Sequence, residues 1–365
     1  MYTLNMSVMS ADDTGMPDNS LMDTGTNDTP FAGLDPALLL DAVESLGLRP
    51  DGRLMALNSY ENRVWQIGID DEVSANAPIV VKVYRPGRWS DEQILEEHEF
   101  VAEMLRAELP VVGPILIGGT TLHHFAGFRF SVYPKQGGRA PEFAEVNVLE
   151  WMGRLLARMH NVGACRRFEV REALDIDAFG FEPRNWLLEH EIIPNDLESV
   201  WMDVADAALD EVEACFHRAG VITTLRLHGD CHAGNVLWTP ERAGPKGERL
   251  GGPHFVDFDD ARTGPAIQDL WMLLSGEPDE MAAQLGHVLR GYQLFREFDP
   301  AELQVLEAFR TLRLLHYSAW LARRWNDPAF PAAFPWFDTP RYWQDRILEL
   351  REQIARMQEP CLAIS

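Results

Sequence analysis

The hydrophobic rhythm of the chain changes several times along its length. Residues 1–30 show no apolar period, contain no Lys or Arg, and are rich in Asp, Thr, Ser and Asn. A stretch of that composition buries too little apolar surface to offset its own ordering, so residues 1–33 are predicted to be a disordered acidic leader. Asp35-Pro36 then opens a short helix with Leu38, Leu39, Val43 and Leu46 on one face and Gly47 at its end. From Arg53 the period falls to two. Leu54–Leu57 and Val64–Ile69 flank the polar loop Asn58–Arg63, and Ile79–Tyr84 makes a third strand. Ser90 and Asp91 can cap a helix running to about Leu109, with Ile94, Phe100, Val101, Met104 and Leu105 inward. Strands near Val112–Ile117 and Phe128–Tyr133 bring the count to five.

Beyond Pro134-Lys135-Gln136-Gly137-Gly138-Arg139, a glycine-bearing connector, the pattern turns helical. Phe143–Asn161 and Asn195–Ala219 read as helices, as do residues 280–298, 301–326 and 341–357, while residues 162–195 read as irregular. The expected architecture is α+β and bilobal. A small β-rich lobe spans 34–134, a hinge 135–141, and a larger helical lobe 142–365.

Composition narrows the picture. The 365 residues are 46% hydrophobic and 24% charged, ordinary for a globular protein with a sizeable core. No apolar run approaches the ~18–20 residues that span a bilayer, and the N-terminus lacks a basic segment followed by an apolar one. A cytoplasmic, monomeric protein is expected. Cys165, Cys215, Cys231 and Cys361 are scattered and expected to be reduced thiols. With 32 basic against 57 acidic side chains the net charge is −25, which disfavours nucleic acid and anionic membranes as partners. It is compatible with a cationic substrate or a basic peptide.

The candidate chemistry lies in Leu225–Trp238, where His228, Asp230 and Asn235 are spaced H-x-D-x-x-x-x-N, and in Phe255-Val256-Asp257-Phe258-Asp259 downstream. In phosphoryl transfer that first spacing sets an Asp beside the attacking hydroxyl and an Asn beside a metal ion. An acidic residue leaving a short strand, as Asp257 does, can grip the Mg²⁺ that bridges nucleotide phosphates, since Mg²⁺ takes oxygen ligands from one or two protein groups. Asp230 is therefore the candidate catalytic acid–base group, and Asn235 and Asp257 the candidate metal ligands. Lys82, between β-branched residues of the third strand, is the candidate phosphate-binding cation. Glu97, with Glu96 as the alternative, is its candidate partner on the following helix. The loop Asn58–Arg63 has no glycines, so its backbone N–H groups and the Ser59 hydroxyl are expected to contact phosphate. His228, Cys231 and His232 could be read as zinc ligands, but no second ligand pair follows at suitable spacing.

H-G-D-x-H-x-x-N followed by V-D-F-D resembles the aminoglycoside phosphotransferase and choline kinase branch of the protein-kinase-like fold. Leu57-Asn58-Ser59-Tyr60-Glu61-Asn62-Arg63, Val83-Tyr84-Arg85-Pro86, Ile94-Leu95-Glu96-Glu97-His98, Gln268–Leu274 and Asp327-Pro328-Ala329-Phe330-Pro331 further resemble the bacterial stress response kinase A family. That resemblance implies ATP and Mg²⁺ in an interlobe cleft, protein Ser/Thr as acceptor with autophosphorylation possible, and Asp269 bracing the catalytic loop. A small-molecule kinase for an amino alcohol, sugar or aminoglycoside is the alternative, and a nucleotide-binding pseudokinase a third reading. On the helix near residues 316–325, Arg323 or Arg324 could touch an acceptor, although packing is the expected role.

Overall fold

The computed structural model describes residues 29–70, 77–143, 145–243 and 249–363. Most of the expected leader, residues 1–28, lies outside them, but its boundary moves. Thr29–Gly33 already forms turns, and the guanidinium groups of Arg63 and Arg85 lie over the Phe31 ring at 4.3 and 5.4 Å. A cation over an aromatic face is attractive, so this end of the chain is tied to the first lobe.

Helix α1 (Pro36–Glu44) is capped by the Asp35 carboxylate, which accepts the Leu38 N–H at 2.8 Å. The strands β1 (Pro50–Leu57), β2 (Arg63–Ile69) and β3 (Ile79–Val83) follow, then α2 (Asp91–Arg106), β4 (His123–Phe125) and β5 (Phe128–Pro134). Ser90 and Gln93 form a reciprocal capping box at the start of α2. The sheet is antiparallel in the order β1-β2-β3-β5-β4, with α1 packed against its apolar face. Five strands were expected, but Val112–Ile117 is not one of them. Pro114 has no N–H to give and Gly113 favours a break, so this segment makes only isolated contacts, single bonds from Ile115 to Val132 and Val112 to Phe255 and one local bridge between Ile117 and Thr120. The hairpin arm β4 takes the edge position instead.

The second lobe contains α3 (Val146–Gly163), α4 (Glu182–Glu189), α5 (Asn195–Ala219), β6 (Leu225–Leu227), β7 (Val236–Ala243), β8 (Arg249–Phe255), β9 (Arg262–Gly264), α6 (Ile267–Trp271), α7 (Pro278–Tyr292), α8 (Leu306–Arg323), α9 (Ala329–Ala333) and α10 (Pro340–Gln358). Residues 162–195 are more regular than their sequence suggests: Asp177–Phe181 is a π-helical turn leading straight into α4. Gly153 and Gly291 let α3 and α7 cross backbone to backbone, since a Cβ on either would strike the other helix's carbonyl oxygens. Residues 301–326 divide into a 3₁₀ turn (Pro300–Val305) and α8.

Besides the packing of α2 on the large lobe's core, two connections tie the lobes across the cleft. At one end the expected hinge is bonded to β7, with Arg139 and Trp238 exchanging backbone hydrogen bonds of 3.0 and 2.8 Å. At the other, the loop after β1 is fastened to α8 and α9 by buried charges. Glu61 receives Arg324 at 2.5 Å, the Trp320 indole N–H at 2.6 Å and Arg85 at 3.0 Å. Asp327 receives Arg85 at 2.6 Å and Arg63 at 2.8 Å. Removing one member of a buried ionic cluster strands the charges that remain, at a cost of about 3–5 kcal/mol. Asp327→Ala is therefore expected to lower unfolding stability by about that amount; a loss under about 1 kcal/mol in urea denaturation, typical of a surface pair, would contradict the role.

Candidate active site

The cleft between the lobes holds a cavity of about 330 Å³, large enough for a nucleotide-sized ligand. Ser59, Val80, Lys82 and Glu97 line it from the small lobe, Gln136–Gly138 from the hinge, and Asn235, Leu237 and Asp257 from the large lobe. Each lining residue is placed by a local device. Lys82 sits mid-strand in β3, opposite Ser131 of β5 and Val64 of β2, and is almost fully buried. Gly138, in an extended backbone region with φ 147°, packs directly against Leu237, where a Cβ would crowd the β7 backbone.

The catalytic loop follows β6. Gly229 has φ 86°, and a Cβ there would collide with the Asp260 carbonyl, so only glycine permits this approach to the loop carrying Asp257. Asp269, fully buried at the start of α6, accepts the backbone N–H groups of His228 at 3.0 Å and Gly229 at 2.9 Å. The bracing implied for Asp269 is thus what the geometry contains. His160 of α3 supports it from behind, bonded to Asp269 at 3.1 Å and to the Tyr292 hydroxyl at 2.8 Å.

Asn235 gives its amide nitrogen to the Asp230 carbonyl at 2.9 Å, which leaves its amide oxygen for a ligand. Asp257 adopts a left-handed conformation (φ 59°, ψ 67°) that swings its half-exposed carboxylate out of the strand direction and into the cleft. A non-glycine residue held there stores strain of order 1–3 kcal/mol, the kind that persists where a side chain must be aimed. One amide oxygen and one carboxylate on adjacent loops suit Mg²⁺, which keeps water and phosphate oxygens for its other positions. No cluster of three or more His, Cys, Asp or Glu able to hold a metal exists among the described residues, and the zinc reading of His228, Cys231 and His232 has no support in it. All four cysteines are free thiols.

Lys82 departs from expectation. Its ammonium contacts Asp257 at 2.9 Å and Asp259 at 3.0 Å, and no ion pair within 4.0 Å joins it to Glu97. Burial opposes its charge, but Asp257, Asp259 and Glu97 together raise its pKa well above the usual lysine value. Glu97 is buried beside it, 3.6 Å from Arg171, and its Oε2 accepts no hydrogen bond. Burial outweighs Lys82 and Arg171 and pushes the Glu97 carboxyl up to about 7. Glu96 is turned the other way and caps the backbone N–H groups of Val170 and Arg171 at 3.1 and 2.9 Å. Of the two, only Glu97 faces the lysine, and it does so without touching it.

The carboxylate that sequence reasoning missed is Asp259. It is buried, and besides Lys82 it binds Arg88 and, at 3.2 Å, Asn62, while its carbonyl binds Arg171. Its signal was present: D-F-D carries a second acid where a glycine is the usual residue. Arg88 and Arg313 were also missed, because neither lies in a motif and each meets its carboxylate far away along the chain. Arg313 of α8 lies 2.8 Å from Asp230. Burial would raise the Asp230 pKa, but Arg313, then His232 and His228, hold it well below the usual carboxylate range. Of the two arginines offered as acceptor contacts, Arg324 belongs to the Glu61 cluster and Arg323 pairs with Glu182 on the exposed side.

Fold and site together define a bilobal phosphotransferase. The chain belongs to the phosphotransferase enzyme family, whose pattern matches residues 54–309, and to its stress response kinase A branch. Stress response kinase A of Escherichia coli strain K12 is 42% identical over 335 residues, 92% of this chain and 97% of that one. Serine/threonine protein kinase RdoA of Salmonella typhimurium strain LT2 is 41% identical over the same shares. Among solved structures, amicoumacin kinase hAmiN in complex with AMP-PNP, Ca²⁺ and Ami covers 91% of this chain and 96% of its own, with a TM-score of 0.66 and 20% identity. That last likeness is one of fold. Among the described residues, no helix is long and apolar enough to cross a membrane.

Glu97 gives the site a stability signature. Its folded pKa of about 7 exceeds the ordinary 4.5, so between those values the folded state holds the extra proton and Glu97's contribution to stability falls as pH rises. Glu97→Gln is expected to match the wild type near pH 4.5 and to become progressively the more stable of the two up to pH about 7. Urea denaturation across that window checks it; a pH-independent difference would refute it.

Proposed function

We propose that the protein is an ATP- and Mg²⁺-dependent kinase that transfers the γ-phosphoryl group to Ser or Thr hydroxyls of proteins. The observation that carries this reading is the convergence of Lys82, Asn235 and Asp257 on one interlobe cavity with a backbone-lined hinge, with Asp230 held beside them through its bond to Asn235. Protein as the acceptor class rests on the kinship with RdoA, and the association with stress on the kinship with stress response kinase A.

In this reading the adenine docks against the hinge backbone, Lys82 moves onto the phosphates, and Ser59 covers them. Asn235 and Asp257 would hold Mg²⁺, which when bound would supply neutralisation of charge on the phosphates. The acceptor oxygen bonds to the γ-phosphorus as the bond to the β–γ bridging oxygen breaks. ADP departs, and the hydroxyl proton passes to Asp230. Asp230 orients the hydroxyl and takes its proton late, which suits a loose transition state needing little nucleophilic push. Autophosphorylation needs nothing beyond this machinery, and the chain contains many Ser and Thr.

Asp230→Ala is expected to keep nucleotide binding and lose transfer by roughly 10²–10⁴-fold, whereas Asp257→Asn should weaken Mg²⁺-dependent nucleotide binding. Purified protein with γ-labelled ATP and a generic protein acceptor, beside each variant, reads both. Full activity in Asp230→Ala would sink the catalytic assignment. Label that never reaches protein, with ATP consumed only when a small hydroxyl compound is added, would favour the second reading, a small-molecule kinase of the kind whose fold the chain shares.

A further inference from the structure

Past Asp230, away from the nucleotide cavity, the inward side of α8 and its surroundings are cationic. Arg313 stands against Asp230, and one turn further His316 stacks on Phe179 at 4.2 Å, with Arg262 4.9 Å from the same ring. Burial and the four guanidinium groups of Arg262, Arg313, Arg324 and Arg88 keep His316 neutral. Three of those four arginines have carboxylate partners that the reaction does not need: Arg88 has Asp260, Arg262 has Glu172, and Arg324 has Glu61.

Arg313 differs. Among the described residues its one carboxylate partner is Asp230, the group the acceptor hydroxyl has to reach. The contact is short, yet Asp230 Oδ1 accepts no properly directed hydrogen bond there. It is a charge contact held without alignment, and the guanidinium keeps its donors free. When a hydroxyl takes Asp230, Arg313 is left part-buried, fully charged and in need of an anion, because a guanidinium does not give up its proton.

We propose that Arg313 is a specificity-determining residue that reads an anionic group next to the acceptor hydroxyl, so that the preferred acceptor is a Ser or Thr flanked by a carboxylate or phosphate side chain. This rests on the protein-acceptor reading above. It also reverses what the net charge of −25 suggests. Exposed charges beyond a Debye length of about 8 Å are screened at physiological salt, so the contact residues decide preference and the overall charge does not. The fork geometry of the guanidinium suits a planar carboxylate, and even one hydrogen bond to a charged group is worth about 10–100-fold in discrimination.

The test uses the full chain with Mg²⁺-ATP and a set of Ser peptides of equal length, flanked by Asp, by phosphoserine, by Ala or by Lys. Wild type is expected to show a kcat/KM for the acidic peptides about 10–100-fold above the Ala peptide. In Arg313→Gln that ratio should fall to about 1–3, and Arg313→Lys, which keeps the charge but not the fork, should restore part of it. Equal rates for all peptides in the wild type, or an acidic preference surviving in Arg313→Gln, overturns the proposal. A loss in Arg313→Gln that is the same for every peptide and for acceptor-free ATP hydrolysis overturns it too, since the arginine would then act on the transferred phosphoryl group. Should no peptide be labelled by the wild type, the protein-acceptor reading fails first and takes this inference with it.

Discussion

The molecule depends on a group of ionised side chains taken out of water between the lobes. Glu61, Asp259 and Asp327 bind Arg63, Arg85, Arg88, Arg324 and Lys82 in a nearly continuous buried network. Such a network contributes little net stability, because desolvating each charge costs several kcal/mol that the pairing must return. What it supplies is geometry. Any displacement of one lobe leaves charges without partners in a poor dielectric, so the loop carrying Ser59 has one well-defined place over the cleft.

That constraint explains several features of the site together. Asp259 lies three-way between Lys82, Arg88 and Asn62, so the loop carrying Asp257 is linked to the strand carrying Lys82 and to the loop carrying Ser59. The usual division, with a helix carboxylate holding the lysine, is altered here. Glu97 is close enough to add to the field at Lys82, yet it carries an unsatisfied oxygen and a raised pKa. The fixed anchor comes from the metal-loop side, and the helix supplies a softer one. Asp257 bears the backbone strain in this arrangement, and Gly229 and Asp269 hold the facing loop against it.

Legibility in the sequence followed physical locality. Helix α5 and the Ser90 cap of α2 could be read because their signals lie within a few residues of one another. Asp230, Asn235 and Asp257 could be picked out as candidates because phosphoryl transfer asks for their spacing on short loops, and Lys82 because it is a lone cation between β-branched residues of a strand; the structure brings Lys82, Asn235 and Asp257 to one cavity. The edge strand was misplaced because the apolar residues of Val112–Ile117 resemble a strand, while Pro114 takes a donor away from it. The charge network was invisible for a different reason. Arg85 and Asp327 are separated by 242 positions, and nothing local marks an arginine as buried when its partner lies that far along the chain. The short polar segments that carry the family resemblance, Asn58–Arg63, Val83–Pro86 and Asp327–Pro331, turn out to be the pieces of this network. Their recurrence in one chain had a cause, but only the tertiary fold states it.

Placing the network at the end of the cleft away from the hinge also fixes how the site can work. A cleft tied at the hinge alone opens by rotation about that one connection. Here Arg139–Trp238 fastens one end and Glu61 and Asp327 the other, so separating the lobes requires breaking buried ion pairs. The α8 side, where Arg313 meets Asp230, is built differently: its contact to the catalytic carboxylate is misaligned and part-exposed. The least costly rearrangement there is thus a side-chain movement about a misaligned contact, while the lobes stay together. A site of this design lets side chains at one end rearrange while the buried network and the hinge hold the rest of the cleft in place.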